Sequence, residues 1–289
     1  MLERLIMDGR HALRRLRKRP AYTLLAVLTL ALGVGGTAAV YSLVRTLLID
    51  PLPYAVESEL ASFWMPYDWS EAEYTLLTDD LPAEVSGLAA HRPVDLTYMS
   101  PGSPAQLVKT IAASATLFDV LGVRPVLGPG FRPGDDRPGA ERVAVLSHGF
   151  WQELGGDRGI VGSTLNLGGV PRTVVGVMPR GFWFPDATVR VWLPQWMRPD
   201  NRSGNYAFVG RLEGGAGGAA AASALARITQ RLDEQFDYPP QWNKLAAPVL
   251  TPLRDTLVAS VRPALLATLG AMAIILLIAS ANVAALMLG

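Results

Sequence analysis

The sequence contains no cysteine. Disulfide bonds, thiolate metal sites, cysteine nucleophiles and a lipid-modified cysteine are therefore excluded within these 289 residues. Lysine is also rare: Lys18, Lys109 and Lys244 are the only ones, and none of them follows a glycine. The phosphate-binding loop GxxxxGK[ST] is thus absent from the sequence. This chain is not by itself a P-loop ATPase.

Signatures of catalysis and metal binding are also missing. Histidine occurs only at positions 11, 91 and 148, never in an HExxH or other clustered spacing, and no GxSxG motif is present. Ser147 and His148 are neighbours, but the position fits the end of a strand better than a catalytic pair. Asp135, Asp136 and Glu141 lie in a turn-rich loop without EF-hand spacing, which favours a solvated loop over a calcium site. We expect no catalytic residue, no metal and no bound cofactor.

Two long runs without any charged residue define the organisation of the chain. The first covers 24 residues, from Ala21 to Val44, and the second covers 27 residues, from Pro263 to Gly289. A helix rises about 1.5 Å per residue, so each run is long enough for a hydrocarbon core of about 30 Å. We predict transmembrane helices at 21–45 and 263–289, with residues 46–262 between them.

Each run has a simpler alternative. A basic region precedes the first run, and Ala31-Leu32-Gly33 resembles a signal-peptide cleavage site, but the apolar stretch is longer than the 7–15 residues usual for the apolar region of a signal peptide. The stretch 33–38 also fits a loose GxGxxA dinucleotide fingerprint, although its surroundings are wrong for a strand, turn and helix. The alternative for the second run is a buried core helix, which rarely lacks charge over such a length.

The distribution of charge predicts the orientation in the membrane. Residues 1–20 carry seven Lys and Arg against two acidic residues, and their apolar positions recur at helical spacing. We predict a basic amphipathic helix at 1–20 that lies on the cytoplasmic membrane surface, in contact with lipids and not with nucleic acid. Residues 46–262 are then extracytoplasmic.

Small and polar residues inside the two runs are candidates for helix packing. Ala31, Gly35 and Ala39 are spaced four apart, with Gly33 adjoining, and small residues at this spacing allow close approach of another helix. Ser280 and Asn282 are polar groups at membrane depth. We expect interhelical hydrogen bonds from them rather than a transport pathway.

The segment between the two runs, residues 46–262, is predicted to be a mixed α/β (α+β) domain. A strand is predicted at 143–146 and another at 206–212, and two β-branched stretches flank Gly168-Gly169 as a β-hairpin. Short and long helices are predicted at 116–121 and 219–236, the latter with Leu225, Ile228, Leu232 and Phe236 on one face. The whole chain is therefore predicted to be a membrane protein with two helices flanking this domain.

Several stretches resemble, in chain order, MacB-like and FtsX-like ABC transporter permeases. They are LTLALGVGGTAAVYS at 28–42, LPY at 52–54, LFDVLGVRP at 117–125, VAVLSH at 143–148, VVGVMP at 174–179 and LLIASANVA at 276–284. The resemblance covers essentially the whole chain and implies a MacB-type periplasmic core domain at 46–262. Members of the family continue into a cytoplasmic segment and further transmembrane helices, so we expect this chain to be the N-terminal portion of a longer permease.

The resemblance also implies a role and partners. A separate ABC ATP-binding subunit hydrolyses ATP in the cytoplasm, and a permease dimer or a second permease half converts that cycle into movement outside the bacterial inner membrane, for efflux or mechanotransmission. Two other classes remain open. A domain of this size between two helices also suits an extracytoplasmic sensor that binds a ligand, and a membrane-anchored enzyme would require a catalytic constellation that the sequence does not contain.

Overall fold

A computed structural model describes residues 20–45, 50–64, 67–100, 102, 104–259 and 261–288. The predicted amphipathic helix at 1–20 lies, except for Pro20, outside the described residues. The chain divides into two compact units, a helical unit and a core domain. The helical unit contains two long apolar helices. The core domain consists of Pro51–Leu257.

The α-helices are α1 (Pro20–Val44), α2 (Glu71–Asp79), α3 (Leu117–Leu121), α4 (His148–Glu153), α5 (Ala219–Gln235), α6 (Leu253–Val258) and α7 (Arg262–Leu288). Short 3-10 helices lie at Glu57–Glu59, Arg158–Ile160, Pro240–Trp242 and Lys244–Ala246. The strands are β1 (Leu60–Trp64), β2 (Trp69–Ser70), β3 (Val85–Pro93), β4 (Leu96–Met99), β5 (Gln106–Val108), β6 (Thr110–Ala113), β7 (Val143–Leu146), β8 (Thr164–Leu167), β9 (Val170–Val177), β10 (Val191–Pro194), β11 (Gly204–Leu212) and β12 (Val249–Pro252).

Twelve strands of the described core domain form one mixed sheet. Its order is β12-β1-β11-β3-β6-β10-β7-β9-β8-β4-β5, and β2 pairs with β11 outside this path. The pairs β6/β10 and β7/β9 are parallel, and the other pairs are antiparallel. The sheet therefore brings together strands that are distant in the sequence, such as β3 and β11.

Hydrophobic clusters cover both faces of this sheet because side chains alternate along each strand. On one face, Leu88 and Phe208 pack with Leu77 of α2 and Ile228 of α5. The other face carries a cluster that includes Leu117, Leu121, Trp192 and Val209. A third cluster joins β7, β8 and β9 to Phe150 of α4. With both faces covered, the sheet forms a single rigid layer.

The local predictions in the core domain are confirmed. The strand at 143–146 is β7, the hairpin is β8 and β9, and Gly168 and Gly169 have φ values of 64° and 78°. Both positive angles are required by a two-residue type I′ turn, which glycine adopts without strain. The mixed α/β class of the domain is confirmed as well.

The predicted face of α5 is confirmed for Ile228, Leu232 and Phe236, which are all buried, while Leu225 is only half-buried. Ile228 and Leu232 are buried together with Ala221 and Ala224. Leu225 instead lines a groove of about 690 Å³ between α5 and the segment around Leu245. Small alanines let the helix lie close to the sheet, so a larger side chain is not needed at every buried position.

The predictions for the two membrane helices compare differently with the structure. Residues 262–281 of α7 form a 20-residue stretch that is long and apolar enough to cross a membrane. In the described part of α1, the apolar stretch Val27–Ser42 is shorter. Among the described residues, one candidate span is thus found, in α7, and the span at 21–45 stays a prediction.

Candidate functional site

Helices α1 and α7 pack closely where α1 carries glycine. Gly33 is buried, and a Cβ atom built on it would lie 3.4 Å from the Cα of Leu276. A Cβ on Gly36 would come within 2.9 Å of the Met272 Sδ. The missing side chains therefore allow the two backbones to approach, which is how small residues act in helix pairs.

The predicted packing residues do not all lie on this contact. Ala31, Gly35 and Ala39 are exposed, and a Cβ on Gly35 would meet no heavy atom within 4 Å. The side chain of Asn282 lies outside the described part of the chain. Packing of these four residues against a helix of another chain stays a prediction.

Hydroxyl groups in these helices bind within their own helix. Thr37 Oγ1 donates to the Gly33 carbonyl at 2.7 Å, and Ser280 Oγ donates to the Leu276 carbonyl at 2.8 Å. This bond leaves the Ser280 oxygen free to accept a second one, so the interhelical hydrogen bond expected from Ser280 stays a prediction. A carbonyl four residues earlier is always within reach of a serine on a helix, so no second helix is required.

The contact between α1 and α7 can be tested by cross-linking, because the chain has no cysteine of its own. The Cβ position of Gly33 lies 3.8 Å from the Leu276 Cβ, within the separation of about 3.5–4.5 Å found in disulfides. We expect the double variant Gly33→Cys, Leu276→Cys to lose both free thiols on mild oxidation. Thiol alkylation and intact mass measure this loss.

The matched control is Gly35→Cys with Leu276→Cys, which places the first cysteine on the exposed side of α1. Its thiols should remain available for alkylation. Equal oxidation of the two double variants would contradict the packing described above.

A buried carboxylate at the start of α2 ties together distant segments of the core domain. Glu71 is only 4% exposed, and its Oε1 accepts a hydrogen bond from the Tyr206 hydroxyl at 3.0 Å. Its Oε2 accepts from the Arg198 backbone N–H at 3.1 Å and lies 3.5 Å from the guanidinium Nε. Burial, followed by the charge of Glu71, raises the pKa of Tyr206 to about 12. Tyr206 therefore remains a hydrogen-bond donor at neutral pH.

A second buried carboxylate, Glu73, lies two residues further along α2. It closes a capping box, because its Oε2 accepts from the Ser70 backbone N–H at 2.7 Å while the Ser70 side chain accepts from the Glu73 N–H. The same Oε2 is 2.9 Å from Lys244 Nζ, and Oε1 accepts from the Tyr238 hydroxyl at 2.7 Å. Burial and this carboxylate raise the pKa of Tyr238. The network fixes the segment after α5 to the start of α2.

Sequence reasoning missed these two glutamates, although a signal was present. Ser70-Glu-Ala-Glu73 is the S-x-x-E pattern that marks the start of a helix. That pattern predicts the cap, but it does not predict Lys244 or Tyr206 as partners, since these lie more than 130 residues away.

Residues considered for catalysis or calcium have local structural roles. Ser147 caps α4, accepting from the Phe150 N–H at 3.2 Å, and the His148 ring packs edge-on against Trp151. Asp135 Oδ2 accepts from the Arg132 N–H at 2.8 Å, and Asp136 Oδ2 accepts from the Ala115 N–H at 2.8 Å. In the described ranges, no group of three or more His, Asp and Glu side chains is placed to hold a metal ion.

His91 of β3 is a partly buried titratable group on the opposite face of the sheet. Its ring packs edge-on against Phe184 at 4.7 Å, and its Nδ1 meets no hydrogen-bond partner among the described residues. Burial lowers the pKa of His91 to about 4. The imidazole is therefore neutral at physiological pH and acts as a packing group.

The sequence and fold together identify the family. The family model of the MacB-like periplasmic core domain matches residues 23–228, which is more than half of the chain. The chain belongs to this family. It is part of a MacB/FtsX-like ABC transporter permease, carries the periplasmic domain, and is not itself an ATPase.

One solved structure agrees with this assignment at the level of fold. The periplasmic region of MacB from Actinobacillus actinomycetemcomitans is similar, with a TM-score of 0.51 and 11% sequence identity, over 71% of this chain and 94% of that chain. The extracellular domain of the ABC-type transporter YknZ from Gram-positive bacteria matches with a TM-score of 0.45 and 16% identity, over 61% of this chain and 93% of that chain. No curated protein matches the sequence.

Proposed function

We propose that this chain is the N-terminal part of a permease subunit that relays motion from a separate ABC ATPase to the core domain. Membership in the MacB-like family is the observation that carries the proposal. In this arrangement ATP is hydrolysed in the cytoplasm, and helices α1 and α7 transmit the resulting movement across the bacterial inner membrane. The core domain performs its work on the extracytoplasmic side, in export or mechanotransmission.

The surface of α7 supports a position in lipid. Only 11% of its most apolar window is buried, whereas the core helix of a soluble protein is mostly buried. Leu266, Ile274, Leu277 and Ile278 are all exposed. Transfer of such side chains into hydrocarbon is favourable.

The surface of α1 has the same character. Leu24, Leu28, Leu32 and Val34 are exposed along it, and the seven basic residues of the preceding segment favour a cytoplasmic N-terminus. We infer that α1 crosses the membrane outward and α7 crosses it inward, which gives the core domain its extracytoplasmic location.

The core domain is suited to transmit movement as one body. A continuous sheet with hydrophobic clusters on both faces resists internal deformation, because packed interiors have low compressibility. A small displacement of the helices would then move the whole domain and not only a loop. A permease homodimer, or a second permease half, would use two such domains that approach and separate.

The proposal predicts a physical association with an ABC ATPase. We expect an affinity-tagged version of the full gene product, purified from native membranes in mild detergent, to retain an ABC ATP-binding subunit in stoichiometric amount. Quantitative mass spectrometry measures this ratio, and an unrelated tagged membrane protein from the same membranes is the control. Absence of any ATPase above the control level would contradict the proposal and favour the sensor alternative.

A further inference from the structure

Two arginines stand directly opposite each other on neighbouring strands of the core domain. Strands β7 and β9 run parallel with Val143 opposite Thr173, and the Thr173 N–H donates to the Arg142 carbonyl at 2.9 Å. Arg142 is therefore opposite Arg172. Each precedes a buried residue of the third cluster, Ala144 or Val174, by two positions, so both side chains lie on the same sheet face.

This arrangement is unfavourable for a protein on its own. Like charges directly opposite on a sheet repel each other. Among the described residues neither arginine forms an ion pair, and the buried Nε of Arg172 meets no acceptor. Desolvation and then the charge of Arg142 lower the pKa of Arg172. The neighbouring carboxylate of Glu141 accepts from the Thr173 hydroxyl at 2.9 Å instead.

Near the arginine pair lie an aromatic ring, from Trp196, and further guanidinium donors, from Arg92. The guanidinium carbon of Arg142 lies 5.5 Å from the centre of the Trp196 ring, which holds it by a cation–π contact. Further along the same face, Arg92 Nη2 donates to Gln195 Oε1 at 3.4 Å, while the buried Arg92 Nε also meets no acceptor in the described chain. The buried carboxylate of Glu71, whose partner Tyr206 also lies against Arg92, is already bound by Tyr206 and Arg198.

We propose that Arg142 and Arg172 form a binding site for a phosphate group on the core domain. Two guanidinium forks can each bind two oxygens of a tetrahedral anion, whereas a carboxylate offers only one bidentate edge. A phosphate monoester carries about −1.5 to −2 charges at pH 7 and three acceptor oxygens, which matches two cations. The same chemistry belongs to free phosphate and to the monoester headgroup of a phosphatidic acid.

The test measures thermal unfolding of the 289-residue chain in a non-ionic detergent, followed by tryptophan fluorescence. Inorganic phosphate is added at constant ionic strength, with sodium chloride as the compensating salt. At ten times its Kd, phosphate should raise the Tm of the wild type by about 3 °C. The variant Arg172→Gln should lose this shift, and without phosphate it should melt at or above the wild-type temperature because the repulsion has been removed.

Arg180→Gln is the matched control, since Arg180 is an exposed arginine away from the pair, and it should keep the full phosphate shift. If Arg172→Gln shows no cooperative unfolding transition, the same measurement on Arg142→Gln decides whether the phosphate shift depends on the pair. Equal phosphate shifts in the wild type and in the deciding variant, or no shift in the wild type, would overturn the proposal.

Two further ligands distinguish a lipid headgroup from free phosphate as the natural source of the bound group. A larger shift with glycerol 1-phosphate than with inorganic phosphate supports the site and points to a lipid headgroup. Equal shifts support the site and point to free phosphate. A shift with acetate that exceeds the shift with phosphate would overturn the assignment to phosphate.

Discussion

Replacing Glu73 by alanine should lower the free energy of unfolding of the core domain by about 3–5 kcal/mol. Glu73 is 2% exposed, and its removal leaves the largely buried ammonium of Lys244 without its carboxylate. The Tyr238 hydroxyl and the Ser70 N–H lose their acceptor at the same time. Uncompensated buried charge is among the most destabilising changes in a protein. Chemical denaturation followed by tryptophan fluorescence measures the loss.

Two variants make the result specific. Glu234→Ala removes an exposed glutamate whose only described side-chain contact is with Gln230 at 2.8 Å, and it should cost less than about 0.5 kcal/mol. The double variant Glu73→Leu, Lys244→Met removes both charges and should recover much of the lost stability. A double variant as unstable as Glu73→Ala would show that the cap, and not the ion pair, accounts for the effect.

Lowering the pH from 7 to 5 should destabilise the core domain by about 2 kcal/mol through His91 alone. The pKa of His91 is about 4 in the folded chain, below its ordinary value of 6.5. Between these two values the unfolded chain binds a proton that the folded chain does not. Stability contributed by the neutral imidazole is therefore fully present above about pH 6.5 and is lost as the pH falls towards 4.

The variant His91→Gln isolates this contribution, because the carboxylates that also titrate at low pH are unchanged in it. Its unfolding free energy should fall less between pH 7 and pH 5 than that of the wild type, by the same 2 kcal/mol. His148→Gln removes the other histidine of the described chain and serves as the control for the loss of a histidine as such. Parallel pH profiles for the wild type and His91→Gln would contradict the burial of a neutral His91.

Elements defined by nearby residues could be predicted from the sequence. The hairpin at Gly168-Gly169 and the helix α5 each carry their signal within a short window, as turn chemistry or helical periodicity. The sheet order could not be predicted in this way. Pairing of β11 with both β1 and β3 joins segments separated by more than 100 residues, and one sequence contains no signal for such register.

The same division applies to the candidate site. The small residues of α1 predicted a packing surface, but not which of them would meet α7, because that depends on the rotation of one helix against the other. Gly33 packs against Leu276, while Gly35 lies on the exposed side. Likewise, the Arg142 and Arg172 pair depends on the parallel register of β7 and β9, which only the assembled sheet provides.

The first and last strands of the core domain along the chain are direct neighbours in its sheet. Ala61 of β1 is paired with Pro252 of β12, and Phe63 with Leu250. The polypeptide thus enters and leaves the sheet one strand spacing apart, about 4.8 Å. A domain with adjacent ends can be inserted into, or exchanged within, another chain without changing the separation of the flanking segments. The core domain therefore has the geometry of an insertable domain, with β1 and β12 as the two strands at which its sheet joins the rest of the chain.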